Sequence, residues 1–392
     1  MNSELLPYNP IVLKWAREKS NHTIEDVAKK FNKPASIISQ WEEGTSSPTY
    51  IQLETLAYKI YKRPLAIFFF TEPPKDTSGK ELFRTLPEHE FKQISPKLTY
   101  IIRKSQALQE NLRELNEGKN PTKIKLIDSF YIDKNDTVEQ TAGRFREYIG
   151  LTLKEQQSWK DSSQALKCWR EIFEDRGIYI FKEAFNDDSF SGFCIYDNTF
   201  PIIYINNSKT KTRQIFTLFH ELAHILFKTG GIDTRSDDYI NYLDDESKRI
   251  EVYCNKFAGE FLVPKHDFLV QIMDKGLDEK LFSKLATLYS VSREVILRKL
   301  LDMDKIEQNF YLEKSLEWIE EAKKAKINKK KKDTRIPQYT IKKAYLGKKY
   351  INLVFNALYQ DKISRIDALE YLGIKNKRFL KFEMYYLKDT NV

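Results

Sequence analysis

Cysteine is scarce in this chain of 392 residues, and the three present, Cys168, Cys194 and Cys254, stand far apart with no C-x-x-C pair. That argues against a disulfide framework and a cysteine-based zinc finger, and it points to a reducing, cytoplasmic setting. Long apolar runs are also missing. The longest, Leu65–Phe70, is far short of the ~20 residues a membrane helix needs, so no membrane partner is expected. The first residues show no basic stretch leading into an apolar one, so no signal peptide is expected. Glycine and proline number only 13 each, while 22 Tyr and 25 Phe supply ample apolar bulk; global disorder is excluded. Histidine occurs five times, and two of the five lie four residues apart.

The net charge of +9 is concentrated in one place. Between Ala322 and Lys349 twelve Lys and Arg face a single acid, Asp333, so the rest of the chain is slightly acidic. The run Lys329–Lys332 cannot bury apolar surface and reads as an exposed linker, with a grip on nucleic-acid phosphates as the rival reading.

Periodicity divides the chain into segments. Residues 1–75 show helical spacing throughout and close at Pro73-Pro74, and a helical connector follows over 76–160. It includes a long helix from Ser95 to Glu117 and another over Val138–Ile149. Helical spacing continues over Ser163–Arg176. Three short β-branched and aromatic runs then appear, Gly177–Phe181, Gly192–Tyr196 and Phe200–Ile205, the last two joined as a hairpin by Asp197-Asn198-Thr199. They belong to a segment spanning 161–275. Helices resume at Thr212 and continue through a helix-turn-helix-like subdomain (276–305), a helix with the Lys-rich linker (306–338) and a small helical tail (339–392). The expected fold is mainly α with a small β-sheet, an α+β domain preceded by an all-α domain and followed by the tail.

Within the first segment, Thr23–Gly44 has helix-turn-helix spacing. Thr23 and Asp26 form a capping pair, Ala28 is small where two helices cross, and Asn32 suits the left-handed turn. Ile38 and Trp41 face inward. That leaves Ala35, Ser36, Ser39 and Gln40 on the outer face of the second helix, where short polar side chains can reach base edges in a major groove. The segment resembles the Xre/Cro-like repressor domain over roughly residues 9–70. The resemblance implies a double-stranded DNA operator as partner, and domains of this kind commonly act as homodimers. A small charge excess in residues 1–75 and the acids Glu42 and Glu43 at the end of the reading helix weigh toward a protein-binding module.

The strongest chemical signal is Phe216-Thr-Leu-Phe-His-Glu-Leu-Ala-His-Ile-Leu-Phe227, an H-E-x-x-H motif inside an apolar stretch. Apolar residues fall all round this helix, so His220, Glu221 and His224 must be buried, and burying them uncompensated costs several kcal/mol, roughly. At i and i+4 the two imidazoles share one face with the bite that suits tetrahedral Zn²⁺, and Glu221 sits on the flank as a candidate general base. Gly230-Gly231 is the expected helix terminator. A third ligand is needed, and Glu251 in the helix Ile250–Leu262 is the best donor. Asn255, one turn on, is placed to orient a ligating imidazole. Glu260 is a weaker competitor.

From about Ala165 to Leu301 the chain resembles the ImmA/IrrE family of metallo-endopeptidases, a branch of the zincins. The resemblance includes the strand Pro201–Asn206, the H-E-L-A-H helix and the helix carrying Glu251 and Asn255. It implies a zinc peptidase, with Zn²⁺ on His220, His224 and Glu251 and Glu221 as catalytic base, that cleaves or controls a repressor or toxin-like protein partner. In that reading the edge of the Phe200–Asn206 strand holds an extended substrate. The alternative is a non-proteolytic antitoxin or repressor that binds its operator and sequesters a toxin, its zinc site structural or vestigial. Cys254 departs from the family pattern, which usually has alanine there; the expectation is an inert buried thiol.

Overall fold

A computed structural model describes residues 7–74, 94–133, 135–234, 243, 245–329 and 337–390. They fall into two units, Met1–Gln106 with Phe185–Asp187, and Ala107–Ala184 with Asp188–Val392. The fold is mainly helical with one small mixed sheet.

In the first unit, α1 (Pro10–Lys19) starts where the Asn9 side chain accepts from the Ile11 amide and Pro10 opens the helix. Thr23 and Asp26 form a reciprocal capping box on α2 (Ile24–Phe31). Asn32, at φ 52°, makes the left-handed turn into α3 (Ala35–Glu43). Next come α4 (Tyr50–Glu54), continued by a wider helical turn over Thr55–Tyr61, and the first half of α5 (Pro96–Leu115). Val12, Ala16, Val27, Ala28, Ile38 and Trp41 meet in a common core. Ala28 is the small residue at the helix crossing, as its position in the motif requires.

The second unit begins its own helices with α6 (Leu126–Ser129), α7 (Val138–Ile149), α8 (Leu153–Ser158) and α9 (Ser162–Glu174). The strands are β1 (Tyr179–Glu183), β2 (Phe190–Ile195), β3 (Ile202–Asn206) and β4 (Gly231–Thr234), in the order β1-β3-β2-β4. β1 runs parallel to β3, whereas β2 is antiparallel to both β3 and β4. Every residue of β2 and β3 is buried, which explains their unbroken apolar character. Beneath the sheet runs α10 (Lys211–Leu226). A Cβ on Gly192 would fall 2.5 Å from Thr217 Cγ2 and 2.9 Å from the Tyr204 carbonyl oxygen, so glycine is what lets β2 press onto α10.

Helix α11 (Asp245–Leu262) packs against α10 and α7. It is followed by α12 (Lys265–Ile272), α13 (Glu279–Tyr289) and α14 (Arg293–Asp302). The α13–α14 pair turns at Ser290, φ 57°, in helix-turn-helix fashion. The long α15 (Gln308–Lys329) comes next, then a tail of α16 (Gln338–Leu346), α17 (Lys348–Tyr359), α18 (Arg365–Leu372) and α19 (Phe379–Thr390). Tyr350, Val354, Phe355, Leu372, Phe379, Phe382 and Tyr386 are buried within the tail. The tail is tied to the sheet domain, because α16 packs on β1 and Arg170 Nη1 donates to the Ala344 carbonyl at 2.8 Å.

The structure corrects four local expectations. The first strand lies two residues later than its β-branched run suggested, because Gly177, at φ 86°, turns the chain before pairing begins. β4 was not expected at all. The strand read as Phe200–Ile205 is hydrogen-bonded on both sides, so it has no free edge for a substrate; among the described strands the edges are β1 and β4. Finally, α10 stops at Leu226, with Lys228 at φ 58°, and does not reach Gly230-Gly231. Of the basic run, Lys329 ends α15, and residues 330–336 lie outside the described residues.

Candidate metal centre and DNA-facing helix

Helix α10 carries its histidines into the interior because apolar residues surround them on every side, and His220, Glu221 and His224 are all buried. From α11 the buried carboxylate of Glu251 meets them. Glu251 Oε2 lies 3.4 Å from His220 Nε2, Glu251 Oε1 lies 3.3 Å from His224 Nε2, and the two Nε2 atoms are 3.1 Å apart. Two ligands about 2.0–2.1 Å from a tetrahedral ion are separated by about 3.3 Å. The two imidazole nitrogens and the Glu251 carboxylate therefore stand about as far apart as the ligands of one tetrahedral ion.

The outer ring nitrogens fix the tautomers. His220 Nδ1 is 3.0 Å from Asn255 Oδ1, which as an amide oxygen only accepts. Thr229 Oγ1 donates its proton to the His224 carbonyl at 3.2 Å, so toward His224 Nδ1, 3.4 Å away, it can only accept. Both rings thus carry their proton on Nδ1 and turn an Nε2 lone pair inward, the form a metal needs. A buried carboxylate and two inward-facing lone pairs fit a divalent cation well. They fit a self-contained hydrogen-bond network poorly, since no proton is left between the two Nε2 atoms.

Gly231 makes this possible. A Cβ there would come within 2.4 Å of His224 Cδ2, so only glycine lets β4 pass against the imidazole. Its amide donates to Cys194 Sγ at 3.2 Å. The Cys194 thiol is pushed well above its ordinary value by burial first, then by the charge of Glu221. Cys254 is likewise buried and pushed up, by burial and then by Glu251 and Glu221. The two thiols therefore flank the carboxylates in protonated form.

The structure brings together His220, His224, Glu251 and Asn255, with Glu221 on the flank of the same helix. Glu260 lies apart, paired with Lys299 and accepting from the Lys265 amide at 2.9 Å. Sequence reasoning missed Cys194, Thr229 and Gly231. Only the glycine pair left a trace, and it was read as a helix stop.

In the first unit, Ala35 and Ser39 on α3 are half-buried, while Ser36 and Gln40 are exposed. Glu42 does not share that outer face. Its carboxylate is almost fully buried and grips Arg17 through two bonds of 2.7 and 3.0 Å, which removes it as a source of repulsion toward phosphates. Glu43 remains exposed.

Comparison with known proteins finds a family for a segment of each unit. Residues 173–301 match the family model described as the IrrE N-terminal-like domain, a peptidase family, and residues 13–57 match the one described as helix-turn-helix. No curated protein matches the chain. The chain thus joins a helix-turn-helix DNA-binding domain to a domain of a metallopeptidase family, the organisation of a DNA-binding regulator fused to a peptidase-like domain. No helix among the described residues is long and apolar enough to cross a membrane.

Proposed function

We propose that this chain is a cytoplasmic transcription regulator whose second unit hydrolyses a peptide bond in a partner regulatory protein, using Zn²⁺ held by His220, His224 and Glu251. The observation that carries this reading is the convergence of three buried donor groups on one point, the ligand atoms of His220, His224 and Glu251 all lying within 4.8 Å of one another. When bound, the metal supplies Lewis acidity, polarising a scissile carbonyl and acidifying water. Glu221 accepts the proton from the attacking water and returns it to the departing amine. Asn255 and Thr229 keep the imidazoles oriented. An extended substrate adds to the edge strand β4, which starts beside His224, by main-chain hydrogen bonds. The helix α3 face of Ala35, Ser36, Ser39 and Gln40 reads a double-stranded operator, which couples cleavage or capture of the partner to transcription.

The complete burial of His220, Glu221 and His224 favours a second reading, in which the metal is structural and the chain acts as an antitoxin or repressor by sequestration. Products of the adjoining genes, incubated with the zinc-loaded chain and followed by mass spectrometry, separate the two. Peptidase action predicts a discrete cut that Glu221→Gln abolishes while zinc stays bound. Sequestration predicts intact partners and a Glu221→Gln variant indistinguishable from the parent.

A further inference from the structure

Two helices of the second unit leave rows of apolar side chains in solvent. On α15 the row is Leu312, Leu316 and Ile319; on α19 it is Leu380, Met384 and Leu387, and all six are exposed. Scattered exposed hydrophobes are ordinary, but both rows follow i, i+4, i+7, the spacing that places residues on one helical face. The opposite faces are anchored, α15 through Trp318 and α19 through Phe379, Phe382 and Tyr386. Each row is therefore a fixed stripe on a held helix, long enough for two turns of helix–helix packing.

The charges beside the stripes are complementary position by position. On α15, Glu313 follows the first stripe residue and Glu320 follows the last. On α19, Lys381 and Lys388 occupy the same two places. All four are exposed. Antiparallel packing brings equivalent flanks together. It sets Leu312 level with Leu387, Leu316 with Met384 and Ile319 with Leu380, and in that register Glu313 meets Lys388 and Glu320 meets Lys381. Two copies of either helix alone would instead place like charges together.

We infer that α15 of one chain docks antiparallel on α19 of a second copy, and that this contact drives self-association of the full chain. The contact is heterologous, so each copy offers both halves. Four exposed charges set its register and make it salt-dependent, while the apolar stripes supply the burial.

Sedimentation velocity on the full chain over a range of concentrations tests this. The wild-type chain associates, more weakly as salt is raised. Lys381→Glu with Lys388→Glu leaves acids on both helices, and Glu313→Lys with Glu320→Lys leaves bases on both; each double variant alone weakens association by about tenfold or more. Mixing the two double variants in equal amounts restores opposite charges across the contact and returns the mass to that of the associated wild type. A wild-type chain that is monomeric at every concentration overturns the inference. So do double variants that associate like wild type, the result expected if copies meet elsewhere, and a mixture that stays monomeric.

Discussion

At the scale of the residue, the legible part of the site was the part written in helical spacing. His220 and His224 recur at one turn, Glu251 and Asn255 recur at one turn, and an apolar surround forces all four inward. Cys194, Thr229 and Gly231 were not legible, because their importance comes from how closely β2, β4 and the turn after α10 approach the imidazoles, and no local pattern encodes that. Gly231 gives the sharpest test. A methyl group there collides with the His224 ring, so Gly231→Ala displaces an imidazole without removing a ligand. The account predicts a metal affinity reduced by roughly 10- to 100-fold, measured by competition with a chelator, the scale seen when groups that orient a metal ligand are lost.

At the scale of the element, helices were read more faithfully than strands. The caps are local chemistry: Thr23 with Asp26 and Thr137 with Gln140 each form reciprocal bonds, and the helix over Val138–Ile149 has the ends its sequence suggested. Strand ends depend on pairing partners. Gly177 shifts β1 by two residues, and β4 is only four residues long, too short to show an alternation of its own. Edge status is likewise a property of the sheet, which is why β3 was mistaken for an edge.

The junction of β1 with the tail carries a test of its own. Lys182 on β1 is buried, and burial together with the positive charges of Arg170 and Lys211 pushes its ammonium down to about 7. Between about pH 7 and the ordinary lysine range the unfolded chain binds a proton that the folded chain refuses, so stability rises with pH across that window and is lower at its neutral end. Lys182→Met is expected to stabilise the chain near neutral pH, on the order of 2 kcal/mol, and to flatten the rise, as read by urea unfolding at pH 7 and pH 9.5. An unchanged slope in the variant would mean that Lys182 is not the group responsible.

At the scale of the whole molecule, the division into an all-helical N-terminal domain and a later domain with a small sheet follows from periodicity that changes from helix to strand and back. The way the tail fastens onto β1 was hidden, since it depends on contacts between segments more than 150 residues apart, such as Arg170 with Ala344. The removal of Glu42 from the reading face was hidden for the same reason; its partner Arg17 lies on another helix. The proposed DNA recognition, cleavage of a partner and self-association each place different demands on this architecture, but the hydrolytic reading depends on a single ion in a single place.

Metal analysis of the purified chain by inductively coupled plasma mass spectrometry, set beside the same measurement on His220→Ala and Glu251→Ala, bears on it most directly. The account predicts one zinc per wild-type chain, a loss of zinc in both variants, and full occupancy in Glu221→Gln. A wild-type chain free of metal, or a Glu251→Ala variant that keeps its full complement, would contradict it.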